Sequence, residues 1–311
     1  MVMAIILGIT LFGCSKSEAQ SDTSSTHVEG TLPMLPTGYQ SPRYHGLPQP
    51  LKGSQELEEL FKSTQGDYLT ILETKIVPPA IFKNLPTDFK VLPIKEKTGN
   101  FISLILPHIL EVNEDVLRVQ DSLIALKTRL DSGQKISLQE QDWLDTLTAL
   151  MQFKTVDIQK LITQIDVMPV ALVLAQAINE SGWGTSRFAQ EGNALFGQHA
   201  SRDGKLKHIV SKSGTAKVAA FDDLYLCTAG YVFNINRNGA YTQLRAIRTY
   251  LKQKGKPVTG TALAAGLVHY SERGEAYVDE LRAIIRRYKL EELNDALLHV
   301  GGQLNYYQFI R

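Results

Sequence analysis

The stretch that decides the reading runs Pro169-Val170-Ala171-Leu172-Val173-Leu174-Ala175-Gln176-Ala177-Ile178-Asn179-Glu180-Ser181-Gly182-Trp183-Gly184, with Gly192-Asn193-Ala194-Leu195-Phe196-Gly197 close behind. Pro169 stands where a helix begins, and Gly182 and Gly184 stand where it ends. Residues 170–178 are so uniformly apolar that this helix must be buried. Glu180 falls in its last turn, where burial and the negative end of the helix dipole both disfavour ionisation. A carboxyl group held protonated near neutral pH is the proton donor that a glycosidic leaving group requires. Trp183 could stack on a sugar ring or fill the core. Asn193 could bond an acetamido group or hold its own loop.

Outward from this segment the helical period dominates. Leu57, Leu60 and Phe61 share one face, and Tyr68, Leu69, Leu72 and Ile76 another, until Pro78-Pro79 forbids continuation. Apolar positions from Phe101 to Leu130 support long helical segments, bent near Pro107. Ser137-Leu138-Gln139-Glu140 has the form of a capping box opening a helix through Met151. Residues 200–220 break the period, and Val210, Val218 and Ala220 flank Ser213-Gly214 as a β-hairpin. Helices resume over 224–236, 240–252, 261–269 and 276–288. The expected fold class is mainly α, with one small β insertion.

The residues just quoted closely resemble the glucosaminidase domain of glycoside hydrolase family 73, found in flagellar peptidoglycan hydrolases and bacterial autolysins. Asn193-Ala194-Leu195-Phe196-Gly197 matches the family's Asn-x-Leu-Phe-Gly, and Tyr270-Ser271-Glu272-Arg273-Gly274-Glu275-Ala276-Tyr277-Val278 matches the Bax-type branch of Gram-negative bacteria. The resemblance covers about residues 94–290 and is strongest after Met168. It implies a lysozyme-like α domain with a small β-hairpin, preceded by additional helices. The implied activity is endo-β-N-acetylglucosaminidase, cleaving the β-1,4 bond after N-acetylglucosamine in peptidoglycan. Carried over by position, Glu180 is the catalytic acid and Tyr241 a functional aromatic. Trp183, Asn193, Phe196 and Tyr277 are expected to bind substrate or shape its cleft. One departure stands out: some members carry a Glu in the hairpin, yet residues 204–221 contain no Asp or Glu. Asp203, Asp222 and Asp223 are the nearest candidates for a second carboxylate. A lytic transglycosylase and a non-catalytic glycan-binding lipoprotein are the rival readings.

The N-terminus points to the cell envelope. Residues 4–12 look like the apolar core of a signal peptide, and Leu11-Phe12-Gly13-Cys14 resembles a bacterial lipobox, although Met1-Val2-Met3 lacks the usual basic residue. The expected organisation is a signal peptide over 1–13, a lipid anchor at Cys14 with a flexible linker to residue 53, a helical region over 54–166 and the catalytic domain over 167–311. Ser15, rather than Asp, after the cysteine predicts the periplasmic side of the outer membrane of a Gram-negative bacterium, with attachment through the N-terminal lipid. Glycan strands of peptidoglycan are the expected partner.

Charge and composition narrow the remaining classes. With 33 basic and 32 acidic residues the chain is nearly neutral, which argues against a nucleic-acid partner. The balance is uneven: 15 basic and 20 acidic residues precede Met168, and 18 basic and 12 acidic follow. The seven histidines include no pair at metal-ligand spacing, and no phosphate-binding glycine loop or nucleophile elbow occurs. No cofactor and no metal are expected. Cys227, in an apolar run, reads as a buried small residue.

Overall fold

The computed structural model describes residues 32–38, 46–199, 207–212, 214, 217–299 and 304–310. In chain order its elements are β1 (Gln49–Leu51), α1 (Ser54–Thr64), α2 (Tyr68–Thr74), β2 (Ile76–Val77), β3 (Ala80–Phe82), α3 (Ile94–Asp131), α4 (Leu138–Leu150), α5 (Ile158–Gln164) and α6 (Val170–Ser181). Then come α7 (Arg187–Gly192), β4 (Lys207–Val210), β5 (Lys217–Ala220), α8 (Leu224–Arg237), α9 (Thr242–Gln253), α10 (Gly260–Ala264), α11 (Glu275–Arg287), β6 (Leu297–Leu298) and β7 (Asn305–Phe309). The fold is mainly helical with small sheets, as the period of the sequence predicts.

Two long apolar helices organise the core. In α6 every residue from Val170 to Ile178 is buried, Gln176 included, and the helix packs against α3, α10 and α11. The 38-residue α3 passes through Pro107 without ending, and residues 100–110 are all buried, against α6, α8 and β3 among others. A helix interior normally excludes proline, whose missing N–H breaks one backbone bond. Here the packing of the segment on both sides of Pro107 outweighs that loss. Local signals also hold: Ser137 and Glu140 form a complete capping box at the start of α4. The turn after α6 is left-handed at Gly182.

The sheets are where local reading falls short. A three-stranded parallel sheet has β7 at its centre between β1 and β3, and β2 pairs with β6. Phe82 stacks on Tyr307 and Phe309, with ring centroids 5.5 and 6.2 Å apart. The chain's two ends are thereby joined. Nor is all of the expected linker free of the body: Leu35 is buried, and the carbonyl of Pro33 accepts a 2.8 Å bond from the Trp143 indole. Apolar Leu35 and Pro36 supply surface that a solvated tether would lack.

The antiparallel hairpin β4–β5 appears as expected, in register Lys207↔Ala220 to Val210↔Lys217. It docks on α7 through Ile209, whose Cδ1 lies 2.5 Å from where a Cβ on Gly192 would stand. Backbone bonds from Ala219 to Gln198 and from Phe221 to Gly192 tie its second strand to the 192–198 loop. That loop forms one wall of the site.

Candidate active site

Glu180 is placed by the way α6 stops. Gly182, Trp183 and Gly184 all adopt positive φ, at 56°, 55° and 74°, so the chain turns sharply away and leaves the last helical turn facing a cavity. A Cβ at Gly184 would lie 3.0 Å from Leu85, so this turn is pressed onto the core. The cavity has a volume of about 610 Å³. Its walls are the end of α6, the 197–199 loop, α8, the Asn238–Tyr241 turn and the 266–271 turn, with Thr37 at one edge.

A buried hydrogen-bonded chain supports Glu180 from behind. The Tyr277 hydroxyl donates to Glu180 Oε1 at 2.7 Å and accepts from Gln176 Nε2 at 3.0 Å. Gln176 Oε1 in turn accepts from the Tyr231 hydroxyl. With the amide nitrogen of Gln176 acting as donor, the single proton of Tyr277 is directed at Glu180. Oε1 is therefore an acceptor. The acidic proton belongs on Oε2, which lies 3.7 Å from the position of a Cβ on cavity-lining Gly197. Burial raises the Glu180 carboxyl above its ordinary range, and the bond from Tyr277 opposes the rise. Glu280 raises it further and Arg273 lowers it.

Aromatic side chains surround this acid. Tyr241 and Tyr270 line the cavity with ring centroids 6.2 Å apart, and Tyr270 stacks on Tyr277 at 5.3 Å. Burial pushes the Tyr241 phenol up to about 12, and Tyr231, Tyr270 and Tyr277 are raised as well. All four remain neutral hydroxyls near neutral pH. Among the described residues lining the cavity, Glu180 is the only carboxylate.

Several residues expected to contact substrate have partners within the fold. Trp183 is not among the residues lining the cavity and packs edge-on against Tyr288, with centroids 6.5 Å apart. Asn193 caps α7 and donates 3.1 Å bonds to the carbonyls of Lys83 and Phe221, so it holds its loop. Phe196 is buried and stacks on Tyr231 at 4.0 Å, while its carbonyl accepts from Tyr270. Tyr277 is buried behind Glu180 rather than in the wall of the cavity.

Of the three second-carboxylate candidates, two lie among the described residues. Asp222 is exposed and pairs with Lys207 at 2.6 Å. Asp223 caps α8 by accepting from Leu226 N at 2.7 Å. Asp203, like Cys14, lies outside the described residues. Among those described, no His, Cys, Asp and Glu group could hold a metal ion, and no helix is long and apolar enough to cross a membrane.

Gln176, Tyr231, Asn234 and Arg237 line or support the cavity, and sequence reading gave none of them a role; Tyr270 entered only as part of the 270–278 signature. One signal was available: a lone amide in an otherwise apolar buried helix must find partners, and Gln176 finds two tyrosines.

Parts of the chain are similar to known proteins. Residues 156–290 match the family model for glucosaminidase, described as mannosyl-glycoprotein endo-β-N-acetylglucosaminidase. This segment is similar to glucosaminidase-family domains. It spans α5 to α11 and therefore contains Glu180, its tyrosine support and most of the cavity wall. The chain is also 32% identical over 125 residues to protein bax of Escherichia coli, a match covering 40% of this chain and 44% of that protein. A solved structure, the catalytic domain of the autolysin Auto from Listeria monocytogenes, is similar with 18% identity and a TM-score of 0.31, over 54% of this chain and 96% of that one. Thr37, at the cavity's edge, lies outside the matched segment.

Proposed function

We propose that the glucosaminidase domain is a peptidoglycan hydrolase, an endo-β-N-acetylglucosaminidase with Glu180 as general acid. The observation that carries this reading is a single half-buried carboxyl group at the wall of a tyrosine-lined cavity, raised by burial and with Oε1 taken by the Tyr277 hydroxyl. The match to the endo-β-N-acetylglucosaminidase family model supports the choice of bond.

A protein nucleophile would need a second carboxyl group about 5–5.5 Å from the first, and a protein base for inversion one about 6.5–9.5 Å away. Asp222 and Asp223 are committed elsewhere. The 2-acetamido group of the sugar can take the nucleophile's place. Its carbonyl oxygen attacks the anomeric carbon while Glu180 gives its proton to the departing glycosidic oxygen, leaving a cyclic oxazolinium ion. Water then adds to the anomeric carbon, Glu180 takes back a proton, and the acetamide re-forms with net retention. Tyr241, in the cavity wall and bonded to Asn234 at 3.3 Å, orients the acetamido group.

A lytic transglycosylase also fits a cavity with one carboxylate. Digestion of purified sacculi separates the two: hydrolysis releases fragments with reducing N-acetylglucosamine, transglycosylation anhydromuramyl ends. Glu180→Gln should lower either activity by at least about 100-fold. A folded, fully active Gln variant rules out the assignment.

The same proposal places the enzyme on the periplasmic side of the outer membrane, anchored through acylated Cys14. Cys14→Ala should then move the protein from the membrane fraction to the soluble periplasm with its activity preserved. Continued membrane retention would remove the anchor from the proposal.

A further inference from the structure

Arg237, the last residue of α8, lines the cavity that holds Glu180. Its guanidinium makes no hydrogen bond and no ion pair among the described residues, and its Nε is buried without an acceptor. The other arginines of this region differ. Arg245 donates to the carbonyls of Ile235 and Asn238, and Arg248 is held by Asn236, Gln164 and Asp166. Arg237 instead lies over the Phe233 ring, its Cζ 5.3 Å from the ring centroid, a contact that uses none of its N–H groups.

Nor does Arg237 serve the acid. The charges that act on Glu180 are Glu280 and Arg273. Among the described residues the cavity therefore carries a cation without an acidic partner at one place and a carboxyl group at another. A partly desolvated guanidinium without acceptors is costly, and a carboxylate is the group whose two oxygens match its fork.

Resting on the hydrolase reading above, we propose that Arg237 binds a carboxylate carried by the glycan, so that the site selects acidic muramyl strands over neutral N-acetylglucosamine polymers. Two sources on such a strand have this chemistry: the lactyl ether of muramic acid when it bears no peptide, and the free carboxylates of the stem peptide. Arg237 acts here as a specificity-determining residue and takes no part in the proton transfers.

The test uses the full chain and three substrates: intact peptidoglycan, strands stripped of peptide by an amidase, and stripped strands whose carboxylates have been converted to neutral methylamides. On the carboxylate-bearing substrate that supplies the contact, Arg237→Gln should raise KM and lower kcat/KM by about 10- to 100-fold with kcat nearly unchanged. On methylamidated strands, whose carbonyls offer only a neutral acceptor, most of the variant's deficit should disappear, because the charge pairing is gone. A defect on stripped strands assigns the lactyl group; a defect confined to intact peptidoglycan assigns the stem. Arg237→Lys, which keeps the charge without the fork, should fall between, and serves if the Gln variant is poorly folded. Equal kinetics for wild type and both variants on all three substrates would overturn the proposal. Strand affinity measured by titration calorimetry in a Glu180→Gln background decides the matter without turnover. Should the wild type cleave nothing, the hydrolase reading fails, while loss of carboxylate-dependent binding in the Arg237 variant would still sustain this one.

Discussion

Removing one oxygen atom from Tyr277 separates the work of the site from its packing. Tyr277→Phe keeps the ring, its stack on Tyr270 and its volume, so no cavity opens. It deletes the hydroxyl that bridges Glu180 and Gln176. Gln176 is 0% exposed, and its Nε2 would lose the tyrosine acceptor. A buried donor stranded in this way costs about 1–3 kcal/mol, which for a domain of this size lowers the melting temperature by about 2–4 °C per kcal/mol. The second effect is electrostatic. Burial raises the Glu180 carboxyl and the Tyr277 bond holds it down, so the variant's carboxyl should rise further. A general acid works only while protonated; the alkaline limb of the kcat/KM profile should therefore move to higher pH. Stability follows the same sign. Since Glu180 binds its proton more tightly folded than unfolded, its contribution is complete below the unfolded carboxyl value of about 4.3 and is lost as pH rises through the folded value. The variant, ionising at a higher cost, should show a deficit against wild type that grows over that window. Rate profiles and calorimetric melts at acidic and mildly alkaline pH read both effects. A lowered melting temperature with an alkaline limb that stays put or moves down would refute the bond from Tyr277 to Glu180.

Glu180→Gln should be more stable than wild type at neutral pH, because it removes a buried group that resists ionisation, and the gain should vanish below about pH 4; melting curves across pH check this. Asp223→Ala should lose a helix cap worth about 1 kcal/mol, whereas Asp222→Asn, at an exposed ion pair, should change stability by less than about 1 kcal/mol. Both should keep most activity on sacculi, and a fall matching Glu180→Gln in either would reinstate that aspartate as a second catalytic group. Gly266→Ala should prevent folding or shift the backbone, since its Cβ would stand 2.3 Å from Leu244 Cα; circular dichroism and soluble yield report it.

Sequence alone determined what depends on neighbours along the chain. The helical period, the capping box at Ser137, the stop at Gly182 and the hairpin around Gly214 are each set by a few adjacent residues, and all recur in the structure. Glu180 was legible for the same reason: its burial follows from the apolar run just before it. Tertiary structure decided everything that joins distant positions. The three-stranded sheet pairs Gln49 and Ala80 with Tyr307 and Asn305, and no two- to five-residue strand announces a partner more than 200 residues away. Tyr277 reaches Glu180 across 97 residues, and Tyr231 reaches Gln176 across 55. Residue type could not tell which aromatic faces the cavity: Trp183 packs against Tyr288, while Tyr241 and Tyr270, on separate turns, converge on the acid. Local sequence specifies backbone state through short-range sterics and burial through periodicity. Which side chains meet is a property of how the helices pack, and that becomes definite only when the whole core closes.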